Sequence, residues 1–86
     1  YDRDQKQRTQ TGGVHMNTDT IICNLYETRT KLGYTQRQVA EGTSISVRTL
    51  INIEKGKTLP SLLYAMKIAN FLNRPVDELF EYRNAG

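Results

Sequence analysis

Five side chains in the middle of the chain, Arg37, Arg48, Asn52, Lys55 and Lys57, have the chemistry to hold phosphates and to read the edges of bases. Guanidinium and ammonium groups neutralise phosphate charge. Arginine can also grip guanine O6 and N7 with two parallel hydrogen bonds, and a carboxamide can do the same for adenine. Other chemistries are poorly provided for. One cysteine (Cys23) and one histidine (His15) cannot complete a structural zinc site, and a lone cysteine forms no intramolecular disulfide. No nucleophile–base pair, metal-ligand cluster or phosphate-cradling glycine loop is recognisable. Neither an enzyme nor a cofactor is expected.

The charge balance is mild: twelve Lys and Arg against nine Asp and Glu give a net charge of +3. Distribution says more than the total. Arg37, Arg48, Lys55 and Lys57 fall in the middle third, whereas Asp77, Glu78 and Glu81 lie near the end. Such a dipolar molecule offers its middle to phosphates, although solvated surface charge would look the same in composition alone. Neither a membrane-spanning apolar stretch nor a signal-peptide core is found, so a cytoplasmic protein without membrane contact is expected.

Eighty-six residues amount to one domain. Residues 1–15 are polar and aperiodic and run into Val14-His15-Met16. His-Met is the dipeptide left by a common cloning junction, so 1–15 is expected to be an expression-tag remnant or flexible tail, with Met16 expected as the first natural residue. As a native arm, it would bring Arg3, Lys6 and Arg8 to phosphates.

Residues 16–86 read as five short helices. Ile22, Leu25, Arg29 and Leu32 recur at helical steps, with Thr18 or Asp19 to cap the start and Gly33 to end the helix. Thr35 and Gln38 make a capping box for a second helix that turns Val39 and Ala40 inward. A third helix follows the Ser46 cap, buries Leu50 and Ile53, and closes at Gly56. Ser61 caps a fourth, whose apolar set is Leu62, Ala65, Ile68, Ala69 and Leu72, with Asn73 as a left-handed end. Pro75 opens a last helix carrying Val76, Leu79 and Phe80. No period-two alternation is evident, so the class is all-α.

The stretch TQRQVAEGTSISVRTLINIEKG, residues 35–56, resembles the helix-turn-helix of the lambda-repressor and Cro-like family, also called the XRE family. LPSLLYAMKIANFL (59–72) and PVDELF (75–80) are similar to that family's fourth and fifth helices. The resemblance implies a five-helix lambda-repressor-like domain that binds double-stranded DNA as a small transcriptional regulator, most simply a repressor and commonly a homodimer. It also implies a phosphate contact at Gln36 and a structural ion pair between Arg29 and Glu54. Two positions depart from the pattern. The glycine usual in the turn is replaced by Ser44, with Gly42 earlier, which suggests a turn rearranged around Gly42; and Thr43 stands where an apolar residue is usual.

A short helix presented end-on fits the major groove of B-DNA, about 12 Å wide. With Leu50 and Ile53 inward, the outward residues of the helix over 46–55 are Val47, Arg48, Ile51, Asn52 and Lys55. Arg48 is the candidate for guanine, and Asn52 for adenine or a phosphate. Val47 and Ile51 suit thymine methyls, or, for Ile51, contact with the fourth helix or a partner subunit. Lys55 and Lys57 suit phosphates, and Ser46 and Thr49 lie at the entering end with hydroxyls to offer. Leu79, Phe80, Tyr82, Phe71 and Tyr64 must divide between the core and a dimer patch. Two other functions use the same fold: an antitoxin that binds its own operator and a toxin, and a protein-interaction module that has lost DNA binding.

Overall fold

The run Thr20-Ile21-Ile22 holds three consecutive β-branched residues, which favour extended backbone over helix. In the computed structural model, which describes residues 19–84, this run lies in a strand. The order is β1 (Asp19–Cys23), α1 (Leu25–Lys31), α2 (Gln36–Thr43), α3 (Val47–Glu54), α4 (Leu62–Leu72), α5 (Val76–Leu79) and β2 (Phe80–Asn84). The proposed tail over 1–15, His15, Met16 and the Thr18 cap lie outside the described residues. No helix among the described residues is long and apolar enough to cross a membrane.

The five helices are present, but the class is not purely all-α. β1 and β2 pair antiparallel, with Ile21 opposite Tyr82, Ile22 opposite Glu81 and Cys23 opposite Phe80. Ile22 therefore belongs to the strand and not to the stripe of the first helix. Phe80 leaves the last helix to begin β2. Asp19 caps no helix. Its carboxylate accepts from the Tyr82 hydroxyl at 2.9 Å. The helix begins later, at an Asn24 N-cap whose side chain makes no capping bond. The backbone N–H of Asn24 instead donates to the Leu79 carbonyl at 2.8 Å, joining the start of α1 to the end of α5. Ile21 and Cys23 pack against the core beside buried Phe80. Partial burial pushes the Cys23 thiol up from its usual range, which keeps it protonated at neutral pH.

α2, α3 and α4 each start where a hydroxyl satisfies a free backbone N–H, whereas α5 follows Pro75 with no side-chain cap. Thr35 accepts from the Gln38 N–H at 3.0 Å, and the Gln38 side chain accepts in return from the Thr35 N–H at 2.8 Å. Ser46 and Ser61 accept from the N–H groups of Thr49 and Tyr64, each at 3.1 Å. The core gathers Leu25, Val39, Ile45, Leu50, Ile53, Ile68, Leu72 and Leu79. Leu62 is an exception to the expected fourth-helix set. It is 74 % exposed, because the first residue after the Ser61 cap falls on the outward side of α4.

The turn between α2 and α3 keeps its glycine-like geometry without a glycine. Ser44 itself adopts the left-handed conformation, with φ 60°, at a cost of about 1–2 kcal/mol. Gly42 is not the pivot of a rearranged turn. It lies inside α2, where the Phe71 ring of α4 occupies the space a Cβ would need. Thr43 is buried without strain on its hydroxyl, which donates to the Val39 carbonyl at 2.7 Å. A polar residue thereby replaces an apolar one with its hydrogen bond satisfied.

Gly42→Ala pits a helix-propensity gain of about 1 kcal/mol against overpacking of about 1–3 kcal/mol, and the Phe71 ring makes overpacking win. We expect a lower melting temperature for Gly42→Ala and partial recovery when Phe71→Leu is added. A Gly42→Ala protein as stable as the parent would contradict this packing.

Candidate nucleic-acid interface

Leu50 and Ile53 fix the inward side of α3, so helical geometry turns Arg48 and Lys55 the opposite way. Arg48, Lys55, Lys57 and, at the start of α2, Arg37 are exposed. Val47 is 39 % exposed; Thr49, Ile51 and Asn52 are half-buried along the flanks. The Asn52 carbonyl accepts from the Lys57 N–H at 2.9 Å, which folds the loop after Gly56 back onto α3 and holds Lys57 close to its end. The Ser46 hydroxyl is committed to its own helix: it accepts from the Thr49 N–H and donates to Thr49 Oγ1 at 2.8 Å.

Among the described residues, none of Arg37, Arg48, Lys55 and Lys57 is held in an ion pair. Exposed ion pairs among the described residues join Arg74 to Glu78 and Arg83 to Glu81, away from these four. Four unneutralised cations on and beside the exposed sides of α2 and α3 make a local positive field that the modest net charge conceals.

Beneath this surface lies a buried polar knot. Arg29 Nε donates to Glu54 Oε2 at 2.6 Å and Nη2 to Oε1 at 3.1 Å, with the two side chains 8 % and 5 % exposed. Arg29 Nη1 also donates to the Tyr34 carbonyl at 2.9 Å, and the guanidinium sits over the Tyr26 ring at 5.3 Å. Gln36 Nε2 donates to Glu54 Oε1 at 2.9 Å. Sequence reasoning missed the Gln36, Tyr34 and Tyr26 contacts. They depend on how the ends of α1, α2 and α3 meet, which no local spacing encodes.

The C-terminal aromatics divide unevenly. Leu79 and Phe80 are buried, and Tyr64 and Phe71 pack against the core, with Phe71 tilted against Tyr34 at 5.1 Å between ring centres. Only Tyr82 of that group is widely exposed. Most of the other large apolar side chains exposed among the described residues are on and before α4, where Leu59, Leu62, Leu63 and Met66 are each more than half exposed; Tyr26 and Val47 lie apart from them in the chain.

This arrangement of two short helices across a tight turn, the second with one side exposed, coincides with a family model described as Helix-turn-helix, which matches residues 25–79. The chain belongs to the XRE-type helix-turn-helix family. That family is one of DNA-binding regulator domains and not of enzymes. The chain is 41 % identical over 54 residues to an uncharacterized HTH-type transcriptional regulator of Archaeoglobus fulgidus, covering 63 % of this chain and 77 % of the relative. It is 40 % identical over 55 residues to one of Methanothermobacter thermautotrophicus, covering 63 % and 80 %. A regulator of the same description from Methanocaldococcus jannaschii is 42 % identical over 50 residues, covering 58 % and 76 %. The family match begins at Leu25 and ends at Leu79, so β1 and β2 flank the helix-turn-helix core.

Removing one member of a buried, bidentate pair strands the other charge, at about 3–5 kcal/mol. Arg29→Ala and Glu54→Ala should therefore each lower the melting temperature by roughly 12 °C or more in a domain of this size. An unchanged thermal transition in either variant would rule out a structural role for the pair.

Proposed function

We propose that this protein is a sequence-specific, double-stranded DNA-binding transcriptional regulator, most simply a cytoplasmic repressor, that inserts α3 into the major groove. The observation that carries the reading is the outward side of α3: an unpaired Arg48 at its start and unpaired Lys55 and Lys57 at its end are exposed, while Leu50 and Ile53 on its other side are buried in the core. In this reading Arg48 reads guanine, and Asn52 reads adenine or holds a phosphate. Val47 and Ile51 meet thymine methyls. Thr49 offers its own O–H to the backbone at the entering end, and Ser46, whose O–H is donated to Thr49, orients it. Gln36, Arg37, Lys55 and Lys57 hold phosphates on either side, aided at Gln36 by the helix N-terminus.

The protein works as a homodimer, because a two-fold assembly matches two half-sites one helical turn apart. The exposed strip of Leu59, Leu62, Leu63 and Met66 is the apolar surface available for that contact. The same strip supports a second reading, an antitoxin that binds its operator through α3 and a toxin through α4.

Selection of bound sites from random duplex DNA tests the proposal. We expect a two-fold symmetric consensus. Arg48→Ala should relax preference at one base pair per half-site, by about 1–3 kcal/mol, while Lys57→Ala should weaken all sequences alike and reduce the salt slope by about 1. No enrichment of any sequence, or identical behaviour of the two variants, would overturn it.

A further inference from the structure

Glu54 is an odd neighbour for a surface meant to meet phosphates. Its carboxylate sits at the end of α3, and bare negative charge there would repel DNA. Two bonds from Arg29 neutralise it, and Oε1 also receives the Gln36 amide at 2.9 Å. A carboxamide nitrogen carries two N–H groups. One is taken by Glu54; the other is left for a second acceptor, at a side chain that is only half-buried.

We propose that Glu54 is a positioning residue for DNA binding: anchored by Arg29, it holds the Gln36 amide so that its remaining N–H meets a backbone phosphate. This rests on the regulator reading above and adds to it a role for a residue that touches no DNA. The physical gain is in ordering. A free glutamine loses rotamer freedom when it grips a phosphate, whereas one already fixed by a carboxylate has lost it on folding. Donation to an anion at one N–H leaves the pair Arg29–Glu54 electrically neutral, so the anchor itself adds no net charge to the interface.

The test compares the wild-type protein, Gln36→Ala, the apolar pair Arg29→Met with Glu54→Met, and the triple variant. Replacing both charges by unbranched apolar side chains removes the anchor without altering net charge or stranding an ion. Affinity for the selected duplex is read by fluorescence anisotropy across a salt series. Gln36→Ala should bind about tenfold more weakly with an unchanged salt slope, because glutamine displaces no counterion. The apolar pair should lose a similar factor, and the triple variant should bind no more weakly than either. An apolar pair that binds like wild type, or losses that multiply in the triple variant, would overturn the proposal.

Should the apolar pair fail to fold, the side-chain amide resonances of the wild-type protein decide. The proposal expects slower solvent exchange at Gln36 than at Gln38 in the free protein, and a shift of the Gln36 resonances when duplex is added. Gln36 exchanging as fast as Gln38 and unmoved by duplex overturns it. Failure of the wild-type protein to bind any duplex overturns the regulator reading together with this one, whereas normal wild-type binding with an indifferent Gln36 overturns this inference alone.

Discussion

The structure turns on the ion pair between Arg29 and Glu54. It bridges α1 to the end of α3 with both partners nearly sealed from water, and the same two side chains reach the Tyr34 carbonyl and the Gln36 amide. Buried ion pairs contribute little net stability, since desolvation offsets most of the Coulomb attraction. What this one supplies is geometry. A planar guanidinium gripping a carboxylate through two nitrogens tolerates little rotation, so the end of α3, the start of α2 and the loop between α1 and α2 are held in one arrangement. Leu50 and Ile53 hold α3 against the core, and the polar knot adds a directional contact at its end.

That rigidity gives the exposed side of α3 its meaning. The helix has eight residues, too few to persist alone, and depends on its scaffold for existence as well as direction. The Ser46 cap fixes where it begins, and Ser44 in the left-handed region sets the angle at which it leaves α2. The serine carries a conformational penalty that glycine would avoid. The turn nonetheless holds, because Ile45 immediately after it is buried and its N–H donates to the Ala40 carbonyl at 3.2 Å. Local strain is tolerated where core packing on both sides determines the path.

The features legible in the sequence were those written in short-range chemistry. The caps at Thr35, Ser46 and Ser61 and the left-handed ends at Gly33, Gly56 and Asn73 each depend on residues within one turn, and each is where the spacing placed it. The inward residues of α2 and α3 followed from helical period. The sheet did not, because the partner of each β1 residue lies some sixty positions away and five residues with one half-exposed face show no clear alternation. Leu62 misled for a related reason: apolar identity suggested burial, while its place beside the cap points it outward. Gly42 misled because a glycine near a turn suggests a left-handed backbone, whereas this one is required by a ring from another helix. Arg29 with Glu54 came from family resemblance, and the attachment of Gln36 to that pair needed the assembled structure.

The central claim is that α3 enters the major groove, and dimethyl sulfate probes this most directly, since it methylates guanine N7 in the major groove and adenine N3 in the minor groove. With the protein bound to its selected duplex, the account predicts protection of guanine N7 within each half-site, lost at one guanine on Arg48→Ala. Protection confined to adenine N3, or guanine reactivity unchanged while the duplex is fully bound, would contradict it.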